Sequence, residues 1–255
     1  MIPTELSQNT TMAKTAETEY VRNVARVENV DAAQFSNYLQ RKPFSDPAAA
    51  RYLMDISQIL TFLPRPPARL LDLGVGSGWT SEIFASCGYD VVGLDISSDM
   101  IEIAKRKLST ELKLTFAVYD YEDPLPYGDM DAVVIYDALH HAENESVVVE
   151  RAYAALRPDG VFVCIEPGRG HALTEDTQAA VRNYGTTEKD MPFTYVGSLL
   201  RTAGFRKIEQ YLRLAGLPLF DISTAGGEAR QLEGAKAHLH NTTREGLSST
   251  IVARR

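Results

Sequence analysis

The run Leu71-Asp-Leu-Gly-Val-Gly-Ser-Gly-Trp79 constrains this chain more than any other feature. The apolar stretch Arg69 to Leu73 enters it and an amphipathic stretch through Cys87 leaves it. Gly74, Gly76 and Gly78 must therefore turn a strand into a helix within a few residues while the backbone stays open to close approach. Such a turn belongs to an α/β unit, and the alternation continues downstream. Tyr89–Asp95, Lys113–Val118 and Asp131–Tyr136 read as buried strands, and Gly160–Glu166 as a fifth after the turn Arg157-Pro-Asp-Gly160. Between them, Ser97 or Ser98 caps a helix carrying Met100, Ile101, Ile103, Ala104 and Leu108, and Asn144 to Leu156 forms another. Tyr195–Ala203 reads as a helix, Phe205–Leu214 as a strand and Ser249–Arg254 as a last strand. Apolar strands separated by amphipathic helices predict a largely parallel sheet covered on both faces.

The N-terminal part differs. Residues 1–18 are rich in Thr, Ser, Asn and Gln and are expected to be flexible. Residues 19–66 read as a helical cap or lid, with helices over Ala32–Leu39 and over Pro47–Leu60, the second capped by Asp46 with Pro47 in its first turn. Tyr20, Asn23, Phe35, Tyr38, Leu39 and Phe44 are its large ligand-facing or sheet-packing side chains. Residues 67–255 form the core, with a glycine-rich insertion at 215–246; Leu214 to Phe220 supplies either a homodimer patch or packing beneath that insertion.

The glycine spacing also excludes alternatives. A nicotinamide fingerprint places a glycine where Trp79 stands, and no Walker lysine follows a longer loop. Asp95 ends the second strand about 20 residues past the turn, where a carboxylate accepts the two hydroxyls of a ribose; Ile96 follows it at the same edge. Asp120, after the third strand, is placed to accept an exocyclic amine of adenine, with Tyr121 or a neighbouring backbone group orienting the base. Tyr136 closes the fourth strand at the same edge. Asp72 orients the loop, contacts a ligand ammonium through water, or merely caps the turn.

With these residues in place, the chain resembles the class I S-adenosylmethionine-dependent methyltransferases over about Arg69 to Leu214, with the last strand similar to that family's closing hairpin. Asp72-Leu-Gly-Val-Gly-Ser-Gly78 resembles the first motif, Asp95 its ribose acid, Asp120-Tyr121 its adenine position, and Leu156-Arg-Pro-Asp-Gly160 the turn before its fifth strand. The resemblance implies a Rossmann-like α/β fold, a seven-stranded mostly parallel sheet with an antiparallel last strand, and S-adenosyl-L-methionine as cofactor. Within the class the chain is most similar to bacterial small-molecule methyltransferases. O-methylation of a natural product or saccharide, at a hydroxyl or carboxylate, is the expected reaction. N-methylation is the chemical rival, and a non-catalytic cofactor-binding protein the other alternative.

Acceptor chemistry has weaker signals. His141, in the loop after the fourth strand, is the candidate base, with His140 beside it as the alternative. Glu166 ends the fifth strand and Arg169 and His171 follow it; Glu166 and His171 are each either a base or an acceptor contact, and Arg169 can pair with a carboxylate or phosphate. Tyr20 and Tyr38 are the lid's candidate acceptor contacts. No metal set is expected, since His238 and His240 lack further ligands nearby. The formal charge of -8 disfavours a general grip on nucleic acid. Cys87 and Cys164 read as small buried thiols, and a chain without an apolar run of membrane-spanning length is expected in the cytoplasm.

Overall fold

Successive side chains of the central strands are buried on opposite faces, so the sheet needs a cover on each side. The computed structural model describes residues 11–213 and 249–255. Its strands are β1 (Arg69–Leu73), β2 (Asp90–Asp95), β3 (Leu114–Val118), β4 (Met130–Tyr136), β5 (Leu156–Glu166), β6 (Lys207–Leu212) and β7 (Ser249–Arg254). They form one seven-stranded sheet in the order β3-β2-β1-β4-β5-β7-β6. Neighbours from β3 to β5 are parallel, and β7 runs antiparallel between β5 and β6. The expected Rossmann-like fold with its reversed last strand is therefore present.

On one face, Leu71, Leu73, Val133, Ile135 and Phe162 pack under α7 (Glu145–Ala155) and α9 (Phe193–Ala203). On the other, Leu70, Val134 and Val163 meet α4 (Ala49–Phe62), α5 (Trp79–Ser86) and α6 (Ser98–Lys105) through Ile59, Phe84 and Ile101. Each such fully buried aliphatic or aromatic side chain contributes about 1.5–3 kcal/mol relative to exposure. Helices α1 (Met12–Thr18), α2 (Tyr20–Val27), α3 (Ala32–Gln40) and α8 (Glu175–Tyr184) lie outside these layers. Thr11 caps α1, within the segment expected to be flexible. Among the described residues, no helix is long and apolar enough to cross a membrane.

Three local expectations are corrected. The helix expected from Pro47 begins at Ala49, because the Asp46 carboxylate accepts the Ala48 N–H at 2.8 Å in a tight side-chain turn instead of capping a helix. The turn expected before the fifth strand lies within β5. Met130 faces Leu156 but Ala132 already faces Val161, so Arg157, Pro158 and Asp159 bulge outward, with Asp159 at a φ of 61°. Cys164 is buried as expected, whereas Cys87 is exposed at the end of α5. The expected insertion at 215–246, the Leu214–Phe220 patch, His238 and His240 lie outside the described residues.

Candidate functional site

The strand order turns back between β1 and β4, and loops leaving the carboxyl ends of adjacent strands diverge there to form a crevice. The bend Gly74–Gly78 lies at its centre. Asp95, at the end of β2, accepts the Gly76 N–H at 2.7 Å and the Ser97 N–H at 2.8 Å. Burial pushes its carboxyl upward, and the two amides oppose that shift. The glycines of the bend have different reasons to be glycine. Gly76 lines the crevice at φ +51°, and a Cβ there would meet nothing within 4 Å. Gly78, at φ +74°, faces protein: a Cβ would lie 2.6 Å from Phe116 Cζ and 2.7 Å from Ala104 Cβ. Of the residues expected at the cofactor, Gly78 therefore serves helix packing and not the ligand surface.

The crevice holds a cavity of about 370 Å³. Gly74, Gly76, Asp95, Ile96, Asp120 and Tyr121 line it, together with His141 and Tyr20. Tyr121 donates to the Ala138 carbonyl at 3.0 Å, and burial raises its pKa well above the ordinary value. Asp120 is not a free acceptor, because Lys14 of α1 donates to it at 2.6 Å and lies 3.5 Å from Glu122. An adenine amine reaching Asp120 must share or displace that lysine. The first two helices are tied over the cavity by polar contacts: Lys14 to Asp120, Glu17 accepting the Thr187 N–H at 2.7 Å, and Arg22 pairing with Asp99 at 2.8 Å.

Several expected site residues face elsewhere. Asp72 is buried beneath the bend, accepting the hydroxyls of Thr80 and Ser81 at 2.7 and 2.6 Å; it anchors the start of α5, and burial pushes its pKa up to about 6. Tyr136 donates to Asp55 at 2.7 Å, and Arg213 completes that buried cluster. Its ring borders a second cavity of about 160 Å³ with Tyr52 and Trp79, so its hydroxyl is committed to Asp55. Glu166 is buried, accepting the Leu139 N–H at 2.8 Å and His140 Nδ1–H at 2.7 Å, which leaves it a clamp on the β4 loop rather than an acceptor contact. Tyr38 donates to Asp46 at 2.8 Å. Tyr38, Arg169, His140 and His171 line neither cavity.

The three histidines have separate environments. Burial pulls the His140 pKa down, but hydrogen bonds to Glu166 and Glu188 overcome it and hold the value at about 10. The same pairing keeps Glu188 at about 2 despite its burial. His171 Nε2 lies 2.9 Å from Glu188 Oε2. His141 alone of the three lines the cavity. Its Nδ1 donates to the Thr187 carbonyl at 2.6 Å and stands 3.5 Å from Glu17 and 4.0 Å from Glu188. Burial and neighbouring His140 lower its pKa; the two glutamates outweigh them and raise it.

Lys14, Glu17, Lys42, Glu122, Asp137 and Glu188 also line the cavity, and none was singled out from sequence. Glu17 and Tyr20 flank the break between α1 and α2 at Glu19, which no local signal in the sequence marks. Asp137 directly follows β4 at φ 54°, a conformation that aspartate, like asparagine, adopts more readily than most residues and that marks a tight strand exit.

Comparisons with known proteins agree with this geometry. A family model described as a methyltransferase domain matches residues 71–164. The chain is similar to the putative methyltransferase YqeM of Bacillus subtilis, at 32% identity over 100 residues, which is 37% of this chain and 40% of that protein. It is also similar to demethylmenaquinone methyltransferase of Lactococcus lactis, 36% identical over 103 residues, covering 38% of this chain and 41% of the relative. The chain thus spans about two fifths of the length of these curated relatives. Among solved structures, phosphoethanolamine N-methyltransferase 2 of Haemonchus contortus in complex with S-adenosyl-L-methionine superposes with a TM-score of 0.63 at 20% identity, covering 92% of this chain and 59% of that one. An S-adenosylmethionine-dependent methyltransferase from Mesorhizobium loti gives 0.58 at 19% identity, covering 79% and 98%. At these identities the superpositions speak for the fold.

Proposed function

We propose that this chain, which belongs to the class I S-adenosylmethionine-dependent methyltransferase family, transfers a methyl group from S-adenosyl-L-methionine to a hydroxyl of a small molecule. The observation that carries the reading is the Asp95 carboxylate fixed on the Gly76 amide, at an open glycine, with His141 on the wall of the same cavity. The residues present fit the cofactor. Asp95 retains lone pairs for a sugar diol, Gly76 leaves room for close approach, and Ile96 and Tyr121 flank the place of a base. Asp120 and Lys14 lie at that end as a pair. When bound, the cofactor supplies a methyl group made electrophilic by its sulfonium.

The chain's own part is positioning, exclusion of water and proton removal. Helices α1 and α2 cover the cavity with Lys14, Glu17 and Tyr20. His141 gives its Nδ1–H to the Thr187 carbonyl, so Nε2 is the nitrogen left to take a proton from a hydroxyl. Glu17 and Glu188 stabilise the imidazolium that results. They also hold its pKa above the ordinary value, so the rate should rise with pH through that raised pKa as more neutral imidazole becomes available. A carboxylate acceptor fits less well. Six acids (Glu17, Asp95, Asp120, Glu122, Asp137 and Glu188) line the cavity against two lysines, Lys14 and Lys42. That same imbalance supports a second reading, in which the acceptor is an amine.

The test offers matched phenols, sugars and amines with methyl-labelled cofactor and identifies products by mass, for the parent and for His141→Ala. Methyl ethers are expected, with a loss of about 100-fold in kcat for the variant and unchanged affinity for S-adenosylhomocysteine. Amine products would select the second reading. Binding without transfer to any nucleophile would leave a cofactor-binding protein, and an unaltered rate in the variant would remove His141 as base.

A further inference from the structure

At the edge of the cavity, three side chains from distant parts of the chain converge, of which only Glu188 also lines the cavity, facing the His141 imidazole. His140 comes from the turn after β4, His171 from the turn after β5, and Glu188 from the stretch between α8 and α9. One ligand-type atom from each lies within 4.8 Å of the other two. We propose that His140, His171 and Glu188 bind a divalent transition-metal ion of the zinc or cobalt type.

The hydrogen bonding around the cluster fixes which atoms face it. Glu166 already accepts backbone N–H groups from Ala138 at 3.2 Å and Leu139 at 2.8 Å, and its other oxygen lies 2.7 Å from His140 Nδ1. A carboxylate so engaged accepts the Nδ1–H and turns Nε2 toward Glu188; that nitrogen is protonated in the ion-free cluster, and metal binding releases its proton. This is the carboxylate–histidine arrangement that commonly stands behind a metal-bound imidazole. His140 Nε2 is 3.5 Å from Glu188 Oε2, and His171 Nε2 is 2.9 Å from the same oxygen. Ligands on one tetrahedral ion with bonds near 2.0–2.1 Å stand about 3.3 Å apart, so both separations lie within roughly half an ångström of the bound geometry.

The supporting shell is also in place. Asp190 accepts the backbone N–H groups of Gly170 and Ala172 at 2.8 and 2.9 Å, tying the turn that carries His171 to the segment that carries Glu188. Lys189 binds the Ala142 carbonyl at 2.6 Å and Glu145 at 2.8 Å, tying that segment to the loop after His140. Each ligand-bearing stretch is thus braced against another, which lowers the ordering cost of binding. Two imidazoles and one carboxylate suit zinc, cobalt, nickel or ferrous ions, whereas magnesium and calcium take oxygen donors. Glu188 also lines the main cavity, so the cluster adjoins its wall. The binding claim does not depend on the methyl-transfer reading.

The experiment strips the full chain with EDTA and titrates it with Zn2+ by calorimetry and with Co2+ by visible absorption. One ion per chain is expected, with the intense d–d bands of a low-coordinate cobalt site. His171→Ala and Glu188→Gln should each weaken binding by about 100-fold, and Glu166→Gln by 10- to 100-fold through the freed imidazole. Thermal unfolding of each variant without metal confirms that it is folded, and His171, only part-buried, is the substitution that best leaves the core intact. Absence of stoichiometric Zn2+ or Co2+ binding by the unaltered protein would overturn the proposal. So would undiminished binding by folded His171→Ala, which places the ion elsewhere.

Discussion

Placing one methyl group at Gly76 and, separately, one at Gly78 distinguishes a residue kept small for a ligand from a residue kept small for packing. Both glycines have positive φ, so alanine at either costs about 1–2 kcal/mol in backbone strain. At Gly76 that is the whole cost to the fold, since the new Cβ meets nothing within 4 Å. At Gly78 the Cβ would press on Phe116 at 2.6 Å and on Ala104 at 2.7 Å, inside the van der Waals limit. Overpacking of this kind adds about 1–3 kcal/mol, for a total of about 2–5. A chain of this size loses roughly 2–4 °C of Tm per kcal/mol. Gly76→Ala should therefore melt a few degrees below the parent, and Gly78→Ala up to several times further below. The ranking reverses in calorimetry with S-adenosylhomocysteine. The methyl at Gly76 occupies the space a ligand needs next to the backbone, and losing about 1.4 kcal/mol of contact weakens binding at least tenfold. Equal destabilisation of the two variants, or parental affinity in Gly76→Ala, would refute this division of roles.

Two other perturbations probe carboxylates. The two oxygens of Asp95 hold one amide each, Gly76 and Ser97, so Asp95→Asn keeps one of these bonds, turns an NH2 toward the other amide and removes the charge that strengthens bonds to sugar hydroxyls; S-adenosylhomocysteine affinity should fall about 10- to 100-fold in calorimetry, with a loss of about 1–3 kcal/mol in stability. Asp72 is held at about 6, above its value in the unfolded chain, so the folded state binds its proton more tightly. The parent should then gain stability relative to Asp72→Asn as pH falls from about 6 to about 4, by up to roughly 3 kcal/mol at 1.36 kcal/mol per pH unit. Urea midpoints across that window read the slope, and a loss of relative stability on acidification would contradict the assignment.

The sequence revealed most where function and local conformation coincide. The bend from Gly74 to Gly78 and the acid at Asp95 were legible because a strand, a turn and a carboxylate are each encoded within a few residues. The apolar periods of β1 to β5 came out within a residue or two, apart from the start of β5. There Pro158 and Asp159 read as a turn, and only pairing with β4 shows that the strand has already begun. Asp46 likewise reads as a cap, and nothing local shows that its oxygen stops at the Ala48 amide. The site's polar lining was least legible because it is assembled at long range. Lys14 reaches Asp120 across 106 positions and Glu17 reaches the Thr187 amide across 170. Neither pairing leaves a spacing that one sequence can display. Glu166 shows the same limit in reverse: it stands where an acceptor contact is expected, yet three backbone amides and His140 claim it.

The antiparallel strand β7 has a consequence for how the sheet is completed. β6 pairs with β7 and with no other described strand, and β7 also covers the flank of β5. Six residues at 249–254 therefore act as a zipper between two elements that precede them in the chain. Until those residues arrive, Val161 to Ile165 present an unpaired apolar edge and β6 has no β7 to join, so the flank of β5 stays open and adhesive while residues 167–248 are synthesised. A lesion in this short stretch would be felt less as lost chemistry than as material that sticks to itself before it matures.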